Sequence, residues 1–161
     1  MKIIPVRIRN SVEFVEMFVD EVDYKMLLQK KWSISMNGYP TASWRVKSFP
    51  NKKKTIHAHK LIMGYKDGLD VDHIDGNKLN NQRSNLRFCS RSQNLMNRGK
   101  NKNNGSGYKG VYWKQKSNKW CAQIGRIGGR KTYLGLFETV EEASLAYRDA
   151  AKKLHGQYAR F

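Results

Sequence analysis

The sequence predicts an α+β chain. An N-terminal β-hairpin region at 1–54 leads into a strand–loop–strand–helix unit at 55–98. A basic Gly/Asn linker at 99–107 then joins a small three-stranded antiparallel sheet packed on one helix at 108–161. Three observations carry this reading. Apolar residues alternate in short runs between Gly, Asn and Asp turns, the pattern of half-buried strands. Two capping boxes, Ser90-Arg91-Ser92-Gln93 and Thr139-Val140-Glu141-Glu142, mark helix starts. Between them, Gly99-Lys100-Asn101-Lys102-Asn103-Asn104-Gly105-Ser106-Gly107 holds no apolar side chain, which is the chemistry of a flexible linker.

In the N-terminal region, Asp23 to Leu28 reads as a short helix after an Asp cap. Trp32 to Met36 alternates, Asn37-Gly38 is a strong hairpin turn, and Tyr39 to Val46 is the partner strand. Pro50-Asn51-Lys52-Lys53-Lys54 is expected to be a second, basic turn. Thr55 to His59 follows as a strand that runs into a short helical stretch, Lys60 to Gly64. His57 and His59 are expected to be core or strand-surface histidines.

In the middle unit, Leu69 to His73 alternates like a strand, with Leu69, Val71 and His73 on one face and Asp70 and Asp72 on the other. Asp75-Gly76-Asn77 breaks it as a turn. Asn85 to Ser90 is a second strand. The capping box then starts a helix from Arg91 to about Arg98, with Asn94 one turn inside and Leu95 able to face the core.

In the last unit, strands are expected at Tyr108 to Trp113, Lys119 to Ile127 and Arg130 to Phe137, with turns at Lys116-Ser117-Asn118 and Gly128-Gly129. Val140, Ala143, Ala146, Tyr147, Ala150 and Leu154 form the apolar stripe of a helix that Gly156 ends. Trp113 and Trp120 read as core anchors. So small a unit is only marginally stable alone.

Charge says more about partners than about fold. Lys and Arg number 31 against 13 Asp and Glu, a net charge of +18. Neutralising phosphates, with release of their counterions, is the usual employment of such a surplus. Membrane association is the competitor, and no run approaches the roughly 18 apolar residues of a span. Met1 to Arg7 lacks the apolar core of a signal peptide, and the two cysteines, Cys89 and Cys121, form no CxxC pair. The expectation is an intracellular, reducing location, a nucleic-acid partner, no membrane, and no evident protein partner.

Val71-Asp72-His73-Ile74-Asp75-Gly76-Asn77, followed by Asn85 and Asn94, supplies the parts of a one-metal phosphodiester-cleaving site. Asp72 would give an anionic ligand and Asn94 a neutral carbonyl ligand to one hard cation, magnesium or alternatively manganese. His73 would take a proton from water, since imidazole titrates near working pH. Asn85 could either orient the His73 ring or brace the long turn. Arg83, Arg87 and Arg91 would grip flanking phosphates. Lys100 and Lys102 would make the linker a basic strap along a DNA groove.

With Ser84-Asn85-Leu86-Arg87 and Ser92-Gln93-Asn94, this set resembles the HNH homing endonucleases of phages and mobile introns, over roughly residues 55–98. The resemblance implies a ββα-metal finger with Asp72 and Asn94 as metal ligands, His73 as base and Asn85 as the structural Asn. Many members have His where this chain has Asn94. His59-Lys60-Leu61-Ile62 is similar to the family's stretch packed beside the finger. The implied products carry 5′-phosphate and 3′-hydroxyl ends. The implied location is the cytoplasm of a phage-infected or mobile-element-bearing host cell.

Tyr108-Lys109-Gly110-Val111, Lys119 to Ile124, Tyr133 to Phe137 and Glu141-Glu142-Ala143 resemble the plant ethylene-response-factor type DNA-binding domain, the APETALA family, over about 105–161. That resemblance implies a sheet reading the major groove, with contacts falling on Lys109, Lys114, Gln123, Lys131 and Tyr133. Tyr112 and Gly125 stand where plant members carry arginine, so the plant target sequence does not transfer. The leading expectation is a DNA endonuclease of homing type. The rival is a non-catalytic, sequence-specific DNA-binding regulator, and RNA binding is a weaker third reading because no stacked-aromatic RNA signature is present.

Overall fold

The computed structural model describes residues 1–46, 49–125 and 130–161, and the side chains of 49–51 are not described. The chain packs as two units, Met1–Cys89 and Ser90–Phe161. The fold is mixed α+β, with sheets of five, two and three strands.

The first unit opens with an antiparallel pair that the sequence reading passed over, β1 (Lys2–Arg7) and β2 (Phe14–Val19). Pro5 argues against a strand interior. Strand β3 (Trp32–Ile34) pairs with β1 only at Arg7↔Ser33, so that side of Pro5 meets no ladder and the missing N–H is tolerated. Helix α1 (Glu21–Leu28) begins ahead of the expected Asp23, from Asp20. The Asp20 carboxylate makes no cap bond. It accepts instead from the Arg83 N–H at 2.8 Å and from Gln82 Nε2 at 3.3 Å.

The Asn37-Gly38 hairpin joins β3 to β4 (Pro40–Val46), with Gly38 at φ 78°. Strand β5 (Phe49–His57) corrects the expected turn at Pro50–Lys54. Its backbone pairs Arg45↔Lys53 and Val46↔Phe49 with β4, so Pro50–Lys54 lies on a strand. Lys52, Lys53 and Lys54 are exposed, and an open strand face accepts lysine as readily as a turn does. Helix α2 (Ala58–Met63) takes in His59, which the sequence placed on a strand. Strands β6 (Asp70–His73) and β7 (Leu86–Cys89) form a separate antiparallel pair, with Asp72 opposite Arg87 and His73 opposite Leu86. The sheet order β2-β1-β3-β4-β5 and the β6–β7 pair enclose one core of Ile4, Val6, Met17, Leu27, Trp32, Ile62, Val71 and Leu86. Residues on either side of position 54 therefore fold together.

The second unit starts at helix α3 (Arg91–Asn97). Both capping-box bonds form, Gln93 N–H to Ser90 Oγ at 3.2 Å and Ser90 N–H to Gln93 Oε1 at 2.8 Å. Leu95 is 53% exposed, against expectation. Helical phase turns its neighbours Met96 and Asn97 inward instead. The segment 99–107 is not a bare linker. Ser106 Oγ donates to the Val111 carbonyl (2.8 Å), Asn104 Nδ2 to Tyr108 O (2.8 Å) and Lys100 Nζ to Gly107 O (2.9 Å). Polar side chains that cannot join a core have here satisfied the backbone and folded it into turns.

Strands β8 (Val111–Lys114), β9 (Lys119–Gly125) and β10 (Lys131–Phe137) form an antiparallel sheet of order β10-β9-β8. Asn118 makes the first turn at φ 47°. The expected Gly128-Gly129 turn lies outside the described residues. Helix α4 (Val140–His155) carries the second capping box and packs Ala143, Tyr147 and Ala151 on Val111, Ala122 and Ile124. Leu154, expected in the stripe, is 41% exposed. Trp120 packs against this core, whereas Trp113 is 43% exposed and meets it edge to face at 5.2 Å between rings. No helix among the described residues is long and apolar enough to cross a membrane.

Candidate functional site

The loop between β6 and β7 is built by its own amides. The Asp75 N–H donates to Asn85 Oδ1 (3.0 Å), and Asn85 Nδ2 donates to Asp75 Oδ1 (2.9 Å) and to the Asn80 carbonyl (2.8 Å). Asp75 Oδ1 also accepts from the Asn77 N–H at 2.7 Å, and Asp75 Oδ2 from Asn80 Nδ2 at 2.9 Å. Burial pushes the Asp75 carboxyl up, but the bonds from Asn80, Asn77 and Asn85 together hold it below the ordinary carboxylate range. Asn85 is thus seen bracing the turn. The ring of His73 is met instead by Asn81, whose Oδ1 lies 3.3 Å from Nε2. Asn81 was missed because its only sequence signal is a second asparagine in a polar run.

Asp72 and His73 are adjacent on β6, and both are buried. Arg87 Nε and Nη2 both donate to Asp72 Oδ2, at 3.1 and 2.9 Å. A carboxylate has more acceptor capacity than one fork uses. Arg83 is held by Asp23, which is buried, through Nε and Nη2 at 2.8 and 2.7 Å. The Arg83 side chain stays 49% exposed beside this fork. Arg83 ties the loop to α1, and its guanidinium is fastened to a protein carboxylate. Arg91 is exposed at the start of α3, and Asn94 lies one turn further along that helix. Among the described residues no group of three or more His, Cys, Asp or Glu is arranged to hold a metal. Burial, reinforced by Asp72 and Asp70, pushes the Cys89 thiol up to about 11, so it is inert as a nucleophile at neutral pH.

Of what surrounds the His73 ring, the sequence signalled only the His59-Lys60-Leu61-Ile62 stretch. The His59 ring stands edge-on to that of His73 at 5.0 Å, His57 stacks on His59 at 5.3 Å, and Tyr39 lies 6.0 Å from His73. Burial, with the nearby His73, His57 and Lys60, lowers His59 from 6.5 to about 3. Burial lowers His73 as well, against the opposing pull of Asn81, Asp75 and Asp72, which favours the neutral imidazole. Burial lowers His57 too.

Linkage gives this a sign. Between its folded value and 6.5 the unfolded chain binds a proton that the native His59 refuses. Stability is therefore complete above 6.5 and falls as pH drops from there toward about 3. One such group costs about 1.4 kcal/mol per pH unit inside that window. Urea midpoints should fall between about pH 6.5 and pH 5, less steeply in His59→Phe. A midpoint flat across that interval would contradict the buried neutral cluster.

In the second unit, Lys114, Lys131 and Tyr133 are exposed and Gln123 is half-buried. Pairing sets Gln123 opposite Tyr133 and Gly125 opposite Lys131, and places Tyr112 opposite Cys121. Strand alternation puts these residues on the sheet face away from α4, since Val111, Ala122 and Ile124 pack on that helix. Lys109 is the exception among the expected contacts. It precedes β8, and its Nζ donates to the carbonyls of Met96 (2.6 Å) and Arg160 (3.2 Å). Burial, with Arg160 nearby, lowers its ammonium to about 8. Lys109 is a clamp between the end of α3 and the chain terminus. Lys102 is exposed, and Lys100 is tied to Gly107. Arg126, another basic residue of this stretch of sequence, lies outside the described residues.

Comparison with known proteins finds two family matches, and the first runs past Cys89 to take in most of α3. Residues 53–96 match the HNH endonuclease family and residues 106–157 the AP2 domain. An HNH endonuclease of Acanthamoeba polyphaga mimivirus is 33% identical over 146 residues, 88% of this chain and 72% of that protein. Protein 3.8 of Escherichia phage T7 is 35% identical over 94 residues, 58% of this chain and 76% of the phage protein. The DNA endonuclease I-HmuI of Bacillus phage SP01 is 45% identical over 51 residues, 29% of each chain.

Proposed function

The chain belongs to the HNH endonuclease family and carries an AP2 domain, and from that premise we propose that it hydrolyses a phosphodiester of double-stranded DNA with His73 as general base and one divalent ion held by Asp72 and Asn94. The observation that supports this most is the mounting of His73. It is a buried, neutral imidazole next to a carboxylate, at the mouth of a loop locked by Asn85.

The donor set suits a hard cation. Asp72 offers carboxylate oxygen and Asn94 amide oxygen, and two protein oxygens leave positions for water and phosphate, as magnesium prefers. Manganese accepts the same donors. Such an ion, when bound, supplies charge stabilisation at the phosphate and the leaving O3′. His73 receives the proton of the attacking water. Arg87 holds Asp72 in place and tempers its charge. The products would bear 5′-phosphate and 3′-hydroxyl ends.

Targeting falls to the second unit. Lys114, Gln123, Lys131 and Tyr133 would face the major groove, with Arg91, Lys100 and Lys102 contributing positive charge along the DNA backbone. Replacing Lys114 and Lys131 together by Ala should weaken DNA binding and lower the slope of log K against log salt by about 1 per lysine lost. An unchanged slope measured by fluorescence anisotropy would count against the face. Relaxation of supercoiled plasmid by the purified chain with magnesium, lost in Asp72→Asn while binding persists, tests the nuclease assignment. DNA bound yet uncut with every divalent ion would favour a non-catalytic regulator.

A further inference from the structure

We infer that Asn81 is a positioning residue for the reaction, its amide holding the His73 imidazole in the Nε2–H tautomer and so assigning proton abstraction to Nδ1. This rests on the reading of His73 as general base.

Asn81 has no exposed surface, so its polar atoms must find protein partners. Its two ends face different groups. Nδ2 lies 3.0 Å from the Lys78 carbonyl and Oδ1 lies 3.3 Å from His73 Nε2. The Lys78 carbonyl can only accept, so the end that faces it must be the NH2. Turning the amide over would set two buried acceptors against each other. With Oδ1 thus fixed toward the ring, Nε2 must carry a hydrogen. An Nδ1–H imidazole would bring a second acceptor–acceptor clash. The lone pair is therefore on Nδ1.

The amide itself cannot drift. The Asn81 N–H donates to the Phe18 carbonyl at 2.8 Å, and the Phe18 N–H donates to Leu79 O at 2.9 Å, which stitches this stretch of loop to β2. When His73 takes a proton at Nδ1, the Nε2–H bond to Asn81 is kept and becomes charge-assisted. Asn81 thus orients the ring before the step and stays bonded to it afterwards. Asn85, the amide named by the sequence motif, does neither of these things. Its bonds go to Asp75 and Asn80.

Two measurements test this. Nitrogen-15 histidine spectra of the metal-free full-length chain should show His73 as the Nε2–H tautomer. An Nδ1–H pattern would overturn the inference whatever the activity. In single-turnover cleavage, Asn81→Leu should lower kcat roughly 100-fold through ring misplacement, with KM for DNA unchanged. Asn81→Asp keeps an acceptor toward Nε2 and should recover most of the loss. A purely structural role predicts no such rescue, because Asp cannot donate to Lys78. Wild-type kcat in Asn81→Leu, or no recovery in a folded Asn81→Asp, sinks the inference while leaving His73 as base. A wild-type chain that never cleaves sinks the nuclease reading, and the catalytic role of Asn81 with it.

Discussion

His73→Ala is expected to slow DNA cleavage about 100- to 10,000-fold, the usual contribution of a positioned general base. DNA affinity should stay near the wild-type value, because the groups proposed to hold DNA lie elsewhere, in the second unit. Loss of a buried ring in contact with His59 and Tyr39 leaves a cavity, so the variant should also melt earlier. A thermal midpoint measured beside the cleavage rate separates the two effects, since a folded, DNA-binding and inactive protein is the expected product. Below pH 6.5 the wild-type rate should hold, because burial keeps His73 neutral to lower pH than a free imidazole. Cleavage by His73→Ala at the wild-type rate would remove His73 from the chemistry.

Gly110→Ala should disable the second unit. Gly110 has φ +73°, and a Cβ there would lie 2.3 Å from the Tyr147 ring and 2.5 Å from the Gln123 carbonyl. Neither obstacle can yield cheaply. Tyr147 is 4% exposed in the centre of the small core, and the Gln123 N–H donates to Gly110 O at 2.9 Å, so strand and turn would have to part. Left-handed backbone strain adds to the overlap. A cost of about 3 kcal/mol or more follows, which is large for so small a core. Limited proteolysis should cut the variant within 108–161 while Met1–Cys89 survives, and specific DNA binding should vanish. A wild-type digestion pattern would mean that the close packing of β8, β9 and α4 is wrong.

What could be read in the sequence was local. Both capping boxes form with the bonds their spacing implies, and Asn37-Gly38 turns the hairpin it signals. Asp72 and His73 emerge together at the end of β6 because alternation and the following Asp75-Gly76-Asn77 turn end the strand there. What escaped was tertiary pairing. Arg83 looks like a phosphate grip, and nothing local says that Asp23, 60 residues earlier, meets its fork. Lys109 looks like a surface cation until two carbonyls enclose it. Lysines 52–54 resemble a turn because polarity alone does not tell an exposed strand from a loop. Asn81 contacts His73 only because the intervening loop doubles back, and no periodicity encodes that path.

The central claim is one divalent ion working with His73. Supercoiled plasmid incubated with the metal-stripped chain measures it directly. No cleavage should occur in chelator, magnesium or manganese should restore it in wild type, and neither should restore it in Asp72→Asn. Cleavage that persists in chelator, or that Asp72→Asn retains in full, would contradict the account.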